Sequence, residues 1–211
     1  MPIPDGLSYE EAAIIPCSVA TAYHAVKRAE IGLGQRVAIF GVGGVGLNAV
    51  QFAALGGSEI IAIDISDEKL EVARSLGAQR LINAKNSHVV SAIKELSNGV
   101  GADACLEFVG SPMSYQASIE SVRRGGRVVI AGYHPEPMKV NALRLMLDEV
   151  MLTGAHVANR LEIKEIIDLV AGGRVSLKKM ITHTVTFSDI NAGLERLRSQ
   201  QDNPIRIVVK F

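Results

Sequence analysis

Residues 35–64 read QRVAIFGVGGVGLNAVQFAALGGSEIIAID, and this stretch predicts the fold of the chain. A short apolar run, 37–40, precedes three glycines in G-x-G-x-x-G spacing, Gly41, Gly43 and Gly46. A helix pattern of small residues follows, and then a second apolar run that ends at Asp64. Strand, glycine turn, helix, strand and terminal acid are the layout of a dinucleotide-binding unit.

Each glycine of this motif answers a separate physical need. Gly41 permits the sharp turn out of the first strand, and Gly43 lets a pyrophosphate approach a backbone that carries no Cβ. Gly46 allows the helix to pack closely on the strand. The free N–H groups and the positive dipole end of that helix then face the phosphates.

Asp64 bears on the choice of dinucleotide. A carboxylate at this point can accept hydrogen bonds from both hydroxyls of the adenosine ribose, and it repels a 2′-phosphate, so NAD is favoured over NADP. Lys69 lies one helical turn further on and is either a second group at that ribose or a solvated surface lysine.

Two other interpretations of the glycine motif stay open. The spacing alone is also compatible with a tight strand-to-helix turn that binds nothing, although the flanking strands and the acid favour a dinucleotide. A methyltransferase has a similar layout but usually carries a carboxylate just before the first glycine, where this chain has Phe40.

Composition narrows the class of protein further. The 211 residues include 22 Lys+Arg and 22 Asp+Glu, which gives a formal net charge of +0 and favours neither a nucleic-acid nor a membrane partner. No apolar run reaches the roughly 20 residues of a membrane span. The start of the chain does not resemble a signal peptide, and two cysteines do not make a disulfide framework, so a cytoplasmic location is expected.

Strand and helix patterns alternate along most of the chain, which predicts an α/β fold. We expect a doubly wound, Rossmann-type parallel sheet of six strands, with helices on both faces and flanking segments at each end. The predicted strands are 36–40, 59–63, 81–83, 103–108, 127–131 and 150–155. The predicted divisions are lead-in helices in 1–34, a nucleotide-binding domain in 35–158, and C-terminal helices and strands in 159–211, which the six-stranded sheet does not need and which are expected to pack against something else. The lead-in helices are one that a capping box of Ser8 and Glu11 begins and one from Cys17 to Arg28. Ser188 is the predicted N-cap of a helix over 189–199, and Cys105 is expected in the core of the fourth strand.

Several segments together resemble one family. They are PCSVATAYHAV (16–26), GQRVAIFGVGGVG (34–46), IAIDISDEK (61–69), SPMSYQASIESVRRGGRVVIAG (111–132), ITHTVTFSDINAGLERL (181–197) and RIVVKF (206–211). In this order they resemble the C-terminal part of the zinc-dependent medium-chain alcohol dehydrogenases. The resemblance covers essentially the whole chain.

The resemblance implies that an N-terminal domain with two zinc ligands, a Cys and the His of a Gly-His-Glu segment, belongs to the intact parent. This chain has neither, so we expect it to be a fragment. Cys17 matches the family's third ligand and would bind metal only with ligands from that domain, because a catalytic zinc takes three protein ligands. In this chain Cys17 is expected to be either an exposed free thiol or a small buried residue.

The resemblance also implies NAD(H) contacts. The backbone of Gly43, Gly44 and Val45 would cradle the pyrophosphate, and Arg206 would reach it, unless Arg206 is an ordinary surface arginine. Residues implied at the nicotinamide or adenine pocket, for which plain packing at strand ends is the alternative, are Thr21, Phe108, Val109, Ala131 and Ala155.

The implied activity of the parent is hydride transfer between an alcohol or carbonyl substrate and NAD, with a polyol dehydrogenase as a possible parent. The fragment is expected to bind NAD and to be inactive alone. Two alternatives are a stand-alone NAD-binding or oligomerisation module and a zinc-free quinone or enoyl reductase, against which Cys17 counts. The family's pairing of edge strands implies a homo-oligomer formed through Met151–His156.

Overall fold

The fold is taken from a computed structural model, which describes residues 2–211. One parallel sheet consists of β1 (Arg36–Phe40), β2 (Glu59–Asp64), β3 (Arg80–Asn83), β4 (Ala102–Glu107), β5 (Val122–Ile130) and β6 (Met151–Gly154). Its strand order is β3-β2-β1-β4-β5-β6, so the predicted doubly wound sheet of six parallel strands is confirmed. The order reverses between β1 and β4, which places a crevice at the carboxyl ends of these central strands.

Nine α-helices lie in the described residues. They are α1 (Tyr9–Ile14), α2 (Ala20–Ala29), α3 (Gly46–Leu55), α4 (Asp67–Ser75), α5 (Val89–Leu96), α6 (Pro112–Ser121), α7 (Ala142–Leu147), α8 (Arg160–Ala171) and α9 (Ile190–Ser199). A second, two-stranded parallel sheet consists of β7 (Ile181–Thr186) and β8 (Arg206–Lys210). Within residues 2–211, none of the helices combines the length and the hydropathy that crossing a bilayer demands.

Both faces of the large sheet are buried. In β1, Val37 and Ile39 belong to an apolar cluster that includes residues of α2, α3, α4 and α8, whereas Ala38 and Phe40 belong to a cluster that includes residues of α5 and α6. A strand covered on both sides reads as a continuous apolar run, which explains the sequence of β1. Each fully buried Ile or Leu side chain contributes about 2 kcal/mol to folding.

The predicted helix from Cys17 to Arg28 is wrong at its N-terminal end. Helix α1 continues through a single π-helical turn, Ile15–Val19, directly into α2. The N–H of Ala20 donates to the carbonyl of Ile15, five residues back. Pro16 has no N–H to donate, so the helical ladder loses a bond here and widens instead of breaking.

Other boundaries also differ from the predictions. Strand β5 begins at Val122 rather than Arg127, and its pairing with β4 shifts register across the stretch that contains Gly125, whose φ is +64°. Helix α9 begins after Asp189, because residues 187–189 form a 3₁₀ turn, so Ser188 is not its N-cap. The capping box of Ser8 with Glu11, predicted from the sequence, is confirmed at α1.

The C-terminal segment packs on the outer side of α2 and α3. Ile166 on α8 and the following Leu177 and Met180 are fully buried in the same apolar cluster as α2 and α3. Gln51 on α3 exchanges two hydrogen bonds with the backbone of Ser176, at 3.0 and 3.1 Å. The residues that follow are thereby held beside the glycine turn, where β8 begins.

An ion pair joins α8 to α2 in the same region. Glu162 is buried, with 4% of its surface exposed, and its carboxylate accepts from the Asn159 N–H and from the His24 ring at 3.0 Å. Burial acts to raise the pKa of Glu162, but these hydrogen bonds and the charges of His24 and Lys27 hold it below its usual value. The carboxylate is therefore stabilised in its ionised form.

Candidate functional site

A cleft of about 570 Å³ opens at the carboxyl ends of β1, β2 and β4. This is the position at which doubly wound sheets bind their ligands. Its lining residues are Phe40, Gly41, Gly43, Gly44, Val45, Gly46, Ile63, Asp64, Ile65, Lys69, Ala84, Val89, Phe108, Val109, Ser111, Met113, Ser114, Ala117, Ile205 and Arg206.

The three motif glycines differ in what surrounds them. Gly41 has φ of +83° and donates its N–H to the Ile63 carbonyl at 2.8 Å, which extends the pairing of β1 with β2 by one bond before the chain turns into α3. A Cβ on Gly46 would overlap the Gly41 carbonyl oxygen, so only glycine lets α3 begin this close to β1. A Cβ on Gly43 would meet no atom within 4 Å, and the space beside it is open to the cleft.

The N-terminus of α3 presents free backbone donors. Within residues 2–211, no group accepts from the N–H of Gly44 or Val45. The loop is held from behind by Asn48, which is fully buried and donates from its side chain to the Gly44 carbonyl at 2.9 Å. Free N–H groups at the positive end of a ten-residue helix suit an anionic group such as a phosphate.

Asp64 is fixed at the tip of β2. Its Oδ2 accepts from the Val42 N–H at 2.9 Å, and its Oδ1 accepts from the N–H groups of Ile65 and Ser66 at 2.8 and 3.1 Å. A carboxylate offers about four acceptor sites and these bonds use three, so Asp64 keeps capacity for one more donor at Oδ2, which accepts a single bond. The carboxylate thus ties the glycine loop to β2 and still faces the cleft.

Lys69 on α4 lies at the same end of the cleft. Its Nζ donates to Gln200 Oε1 at 3.0 Å, just beyond the end of α9. Gln200 has φ of +54° and also donates its side-chain amide to the Leu197 carbonyl at 2.7 Å. The bond between Lys69 and Gln200 therefore joins α4 to the C-terminal segment beside the cleft.

Arg206, the first residue of β8, lies over the glycine loop. A Cβ on Gly44 would come within 2.8 Å of the Arg206 Cζ. The Arg206 Nε is buried and finds no acceptor among residues 2–211, and burial lowers the pKa of this guanidinium. A buried cationic donor without a partner, beside free backbone N–H groups, is an arrangement that an anionic ligand would satisfy.

The opposite wall of the cleft follows β4. Val109 is 52% exposed and faces the cleft, and Ser111 caps α6 by accepting from the Ser114 N–H at 3.1 Å. Behind this wall the side chain of Glu107 is fully buried, and burial raises the pKa of its carboxyl. Hydrogen bonds from Ser114, Gly110 and Val109 oppose that rise.

The structure brings most of the predicted cofactor residues to this cleft. Nine of them line it, namely Gly41, Gly43, Gly44, Val45, Gly46, Asp64, Lys69, Val109 and Arg206, together with Phe108. Thr21 on α2 and Ala131 after β5 are half-buried and lie outside it. Ala155, with 8% of its surface exposed, belongs to the core.

The sequence analysis missed several polar residues at the site. Asn48 holds the glycine loop, Ser111 and Ser114 form a capping box at the cleft, and Glu107 supports their segment. One signal was present in the sequence. Glu107 directly follows the buried apolar residues 104–106 of β4, and an acid placed in a buried strand needs a partner.

Cys17 lies exposed in the π turn, whereas Cys105 is buried in β4, as predicted. Within residues 2–211, no three His, Cys, Asp or Glu side chains come together as a metal site. Since a catalytic zinc takes three protein ligands, these residues alone do not fit that metal.

The chain is similar to known dehydrogenases both in sequence and in structure. Residues 44–172 match the family model described as "Zinc-binding dehydrogenase". An alcohol dehydrogenase of Geobacillus stearothermophilus is 36% identical over 208 residues, which are 99% of this chain and 60% of the relative. The chain therefore spans about three fifths of that relative's length.

Solved structures are similar over the same extent. The alcohol dehydrogenase from Thermus sp. ATN1 is 29% identical with a TM-score of 0.88, and the match covers 99% of this chain and 62% of that one. The 2R,3R-butanediol dehydrogenase from Bacillus subtilis is 26% identical with a TM-score of 0.89, and the match covers 100% and 60%.

Proposed function

Because the chain belongs to the zinc-binding dehydrogenase family, we propose that it is the NAD(H)-binding part of an alcohol dehydrogenase. One observation carries this proposal. Among residues 2–211, the N–H groups of Gly44 and Val45 in the glycine loop and the Nε of Arg206 find no acceptor on one side of the cleft. The carboxylate of Asp64 lies on the other side of the same cleft. This is the donor and acceptor set that a dinucleotide requires.

Different residues of the cleft would bind different parts of the dinucleotide. The N–H groups of Gly44 and Val45 and the guanidinium of Arg206 would hold the pyrophosphate, through charge-assisted hydrogen bonds. The free acceptor site of Asp64 Oδ2 would take a ribose hydroxyl, and its charge would repel a 2′-phosphate. We therefore propose NAD rather than NADP.

Bound NAD supplies a hydride acceptor, which suits the oxidation of an alcohol to a carbonyl compound. The part of this chain is to hold the dinucleotide in one orientation, with the apolar side chains of Phe108 and Val109 excluding water from one side of the cleft. Cys17 is the one candidate zinc ligand that the family resemblance assigns to these residues, and one ligand does not hold a catalytic zinc. The proposal for this chain alone is nucleotide binding without turnover.

Titration with NADH tests the proposal. The nicotinamide fluorescence of NADH should rise on binding to the wild-type chain, with NADPH bound at least about tenfold more weakly because of Asp64. Alcohol oxidation is then assayed with and without added zinc. A folded chain that binds no NADH would refute the proposal. Sustained alcohol turnover by this chain would refute the proposal that it binds the nucleotide without catalysing the reaction.

We also propose that two copies pair through β6. This strand has a hydrogen-bonded neighbour, β5, on one side within the described chain, and Met151 is 47% exposed. Exposed apolar residues of α7, Leu143, Met146 and Leu147, lie just before it in sequence. An unpaired edge flanked by apolar surface favours association with a second edge.

A further inference from the structure

Glu107 is an acid at the end of β4 whose surface is 0% exposed. It does not line the cleft, yet its Oε1 accepts three hydrogen bonds from the segment that does. These come from the N–H groups of Val109 and Gly110, both at 2.9 Å, and from the Ser114 hydroxyl at 2.7 Å. Three donors of the segment that follows β4 therefore bind one oxygen atom.

The backbone of the same residue holds the neighbouring strand. The Glu107 carbonyl accepts from the N–H groups of Ala131 and Gly132, both at 2.9 Å. A Cβ on Gly132 would come within 2.6 Å of Glu107 Oε2, so a glycine at this position leaves room for the carboxyl group. Tyr115 on α6 donates its hydroxyl to the Gly132 carbonyl at 3.0 Å, which ties α6 to the same point.

These contacts have one structural result. The ends of β4 and β5 and the start of α6 meet at Glu107, and Val109 and Ser114 project from that junction into the cleft. The junction lies at the strand ends that face the predicted nucleotide site. A buried polar group with several satisfied hydrogen bonds fixes its surroundings more rigidly than apolar packing does.

We propose that Glu107 is a positioning residue, which orders the segment from Val109 to Ser114 and so shapes the cleft wall that the dinucleotide contacts. The inference rests on the proposed function, because the wall matters to a ligand in this cleft. It assigns Glu107 no contact with the ligand itself. Burial raises the pKa of Glu107, and its buried Oε2 finds no partner among residues 2–211, so the contacts of this side chain with the wall are those of Oε1.

Two substitutions separate positioning from general stability. Glu107→Gln keeps an oxygen that can accept the same three hydrogen bonds, whereas Glu107→Leu keeps the volume and removes the acceptor. Glu162→Gln is the matched control, since Glu162 is also a buried, hydrogen-bonded acid but lies between α2 and α8, away from the cleft. Amide hydrogen exchange at Val109 and Gly110, followed by NMR without ligand, reports the order of the wall directly.

In Glu107→Leu we expect exchange at Val109 and Gly110 to rise about tenfold relative to other amides of the same stability, and the Kd for NADH to rise about tenfold. Glu107→Gln should restore both to within about threefold of the wild-type values. Glu162→Gln should change neither the exchange at Val109 and Gly110 relative to other amides of the same stability nor the Kd for NADH. Should Glu107→Leu not fold, Ser114→Ala removes one donor from the same oxygen and should still raise the exchange at Gly110.

The outcomes distinguish this inference from the proposed function. Unchanged exchange at Val109 and Gly110 in Glu107→Leu would overturn the role of Glu107, even if the wild-type chain binds NADH. Failure of Glu107→Gln to rescue NADH binding, in a variant with normal exchange, would overturn it as well. A wild-type chain that binds no NADH would instead overturn the proposed function.

Discussion

The guanidinium of Arg206 lies on the backbone of Gly44, so close that a Cβ on Gly44 would come within 2.8 Å of its Cζ. The glycine loop and the first residue of β8 therefore form one surface. A side chain on Gly44 would displace the guanidinium from this position, in addition to any room that it took from a ligand. The buried Nε of Arg206, unpartnered within residues 2–211, marks the point where an anion would be held.

Arg206→Met should weaken NADH binding about tenfold, because it removes a charge-assisted hydrogen bond to the pyrophosphate. The thermal midpoint should not fall, since a buried cation without a partner costs free energy in the absence of ligand. Fluorescence titration and thermal denaturation measure the two effects. Arg198→Met, at a side chain that is 84% exposed on α9, is the matched control and should change neither. An Arg206→Met chain that binds NADH normally would contradict the role of Arg206.

Gly43→Ala and Gly46→Ala should differ sharply, although both remove one motif glycine. The new methyl group of Gly43→Ala meets no atom within 4 Å, so the fold should stay stable while NADH binding falls. The methyl group of Gly46→Ala overlaps the Gly41 carbonyl, so the free energy of unfolding should fall by about 3 kcal/mol. Urea denaturation and NADH titration of both variants give the comparison, and equal effects on stability would contradict it.

Asp64→Asn should reduce the preference for NADH over NADPH by about tenfold, because the amide no longer repels a 2′-phosphate. Asp67→Asn is the matched control. Asp67 lies three residues further on, outside the cleft, and accepts from the Asn83 side chain at 2.7 Å. The measurement is the ratio of the dissociation constants for NADPH and NADH. A ratio that is unchanged in Asp64→Asn would contradict the assignment of Asp64 to the adenosine ribose.

Glu162→Gln should make the free energy of unfolding less dependent on pH in the acidic range. The pKa of Glu162 is held below its usual value of 4.5, so its stabilising effect is present above that value and is lost as the pH falls through the lowered pKa. The free energy of unfolding of the wild type should exceed that of the variant by about 2 kcal/mol at neutral pH. This difference should shrink in acid below about pH 4. Urea denaturation over this range tests the sign. Glu165→Gln, a half-exposed acid on the same helix, should cost about 0.5 kcal/mol or less.

Met151→Lys should prevent self-association if the edge of β6 forms the interface, because it places like charges together when two edges meet. Light scattering over a concentration series gives the molecular mass. Leu161→Lys changes a residue of similar type that is 74% exposed on α8, and it should leave the mass unchanged. A wild-type chain that stays monomeric at high concentration would contradict the proposed pairing.

The sequence predicted the large sheet well because local rules determine it. Apolar runs, motif glycines and terminal acids recur at fixed spacing, and parallel strands require crossover helices. The same rules brought Gly43, Asp64 and, through the family resemblance, Arg206 to one cleft. The prediction failed where non-local contacts decide the structure.

Two examples show this limit. The π turn depends on how α1 and α2 join as one helix, and the helical pattern of residues 15–19 carries no sign of an extra residue apart from Pro16. Glu107 and Asn48 act through bonds to loop backbones, to Val109 and Gly110 and to Gly44, and a loop backbone has the same donors and acceptors whatever its sequence. Their roles become visible when the loops are placed in three dimensions.

The contact between Arg206 and Gly44 can form only late in the synthesis of the chain, because Arg206 lies near its C-terminal end. A ribosome makes the glycine loop and all six strands of the large sheet before it makes β8. At about 5–20 residues per second, a nascent chain spends several seconds with all six strands made and Arg206 absent. If the cleft holds a pyrophosphate as proposed, the growing chain would bind it without Arg206 and therefore more weakly than the finished chain.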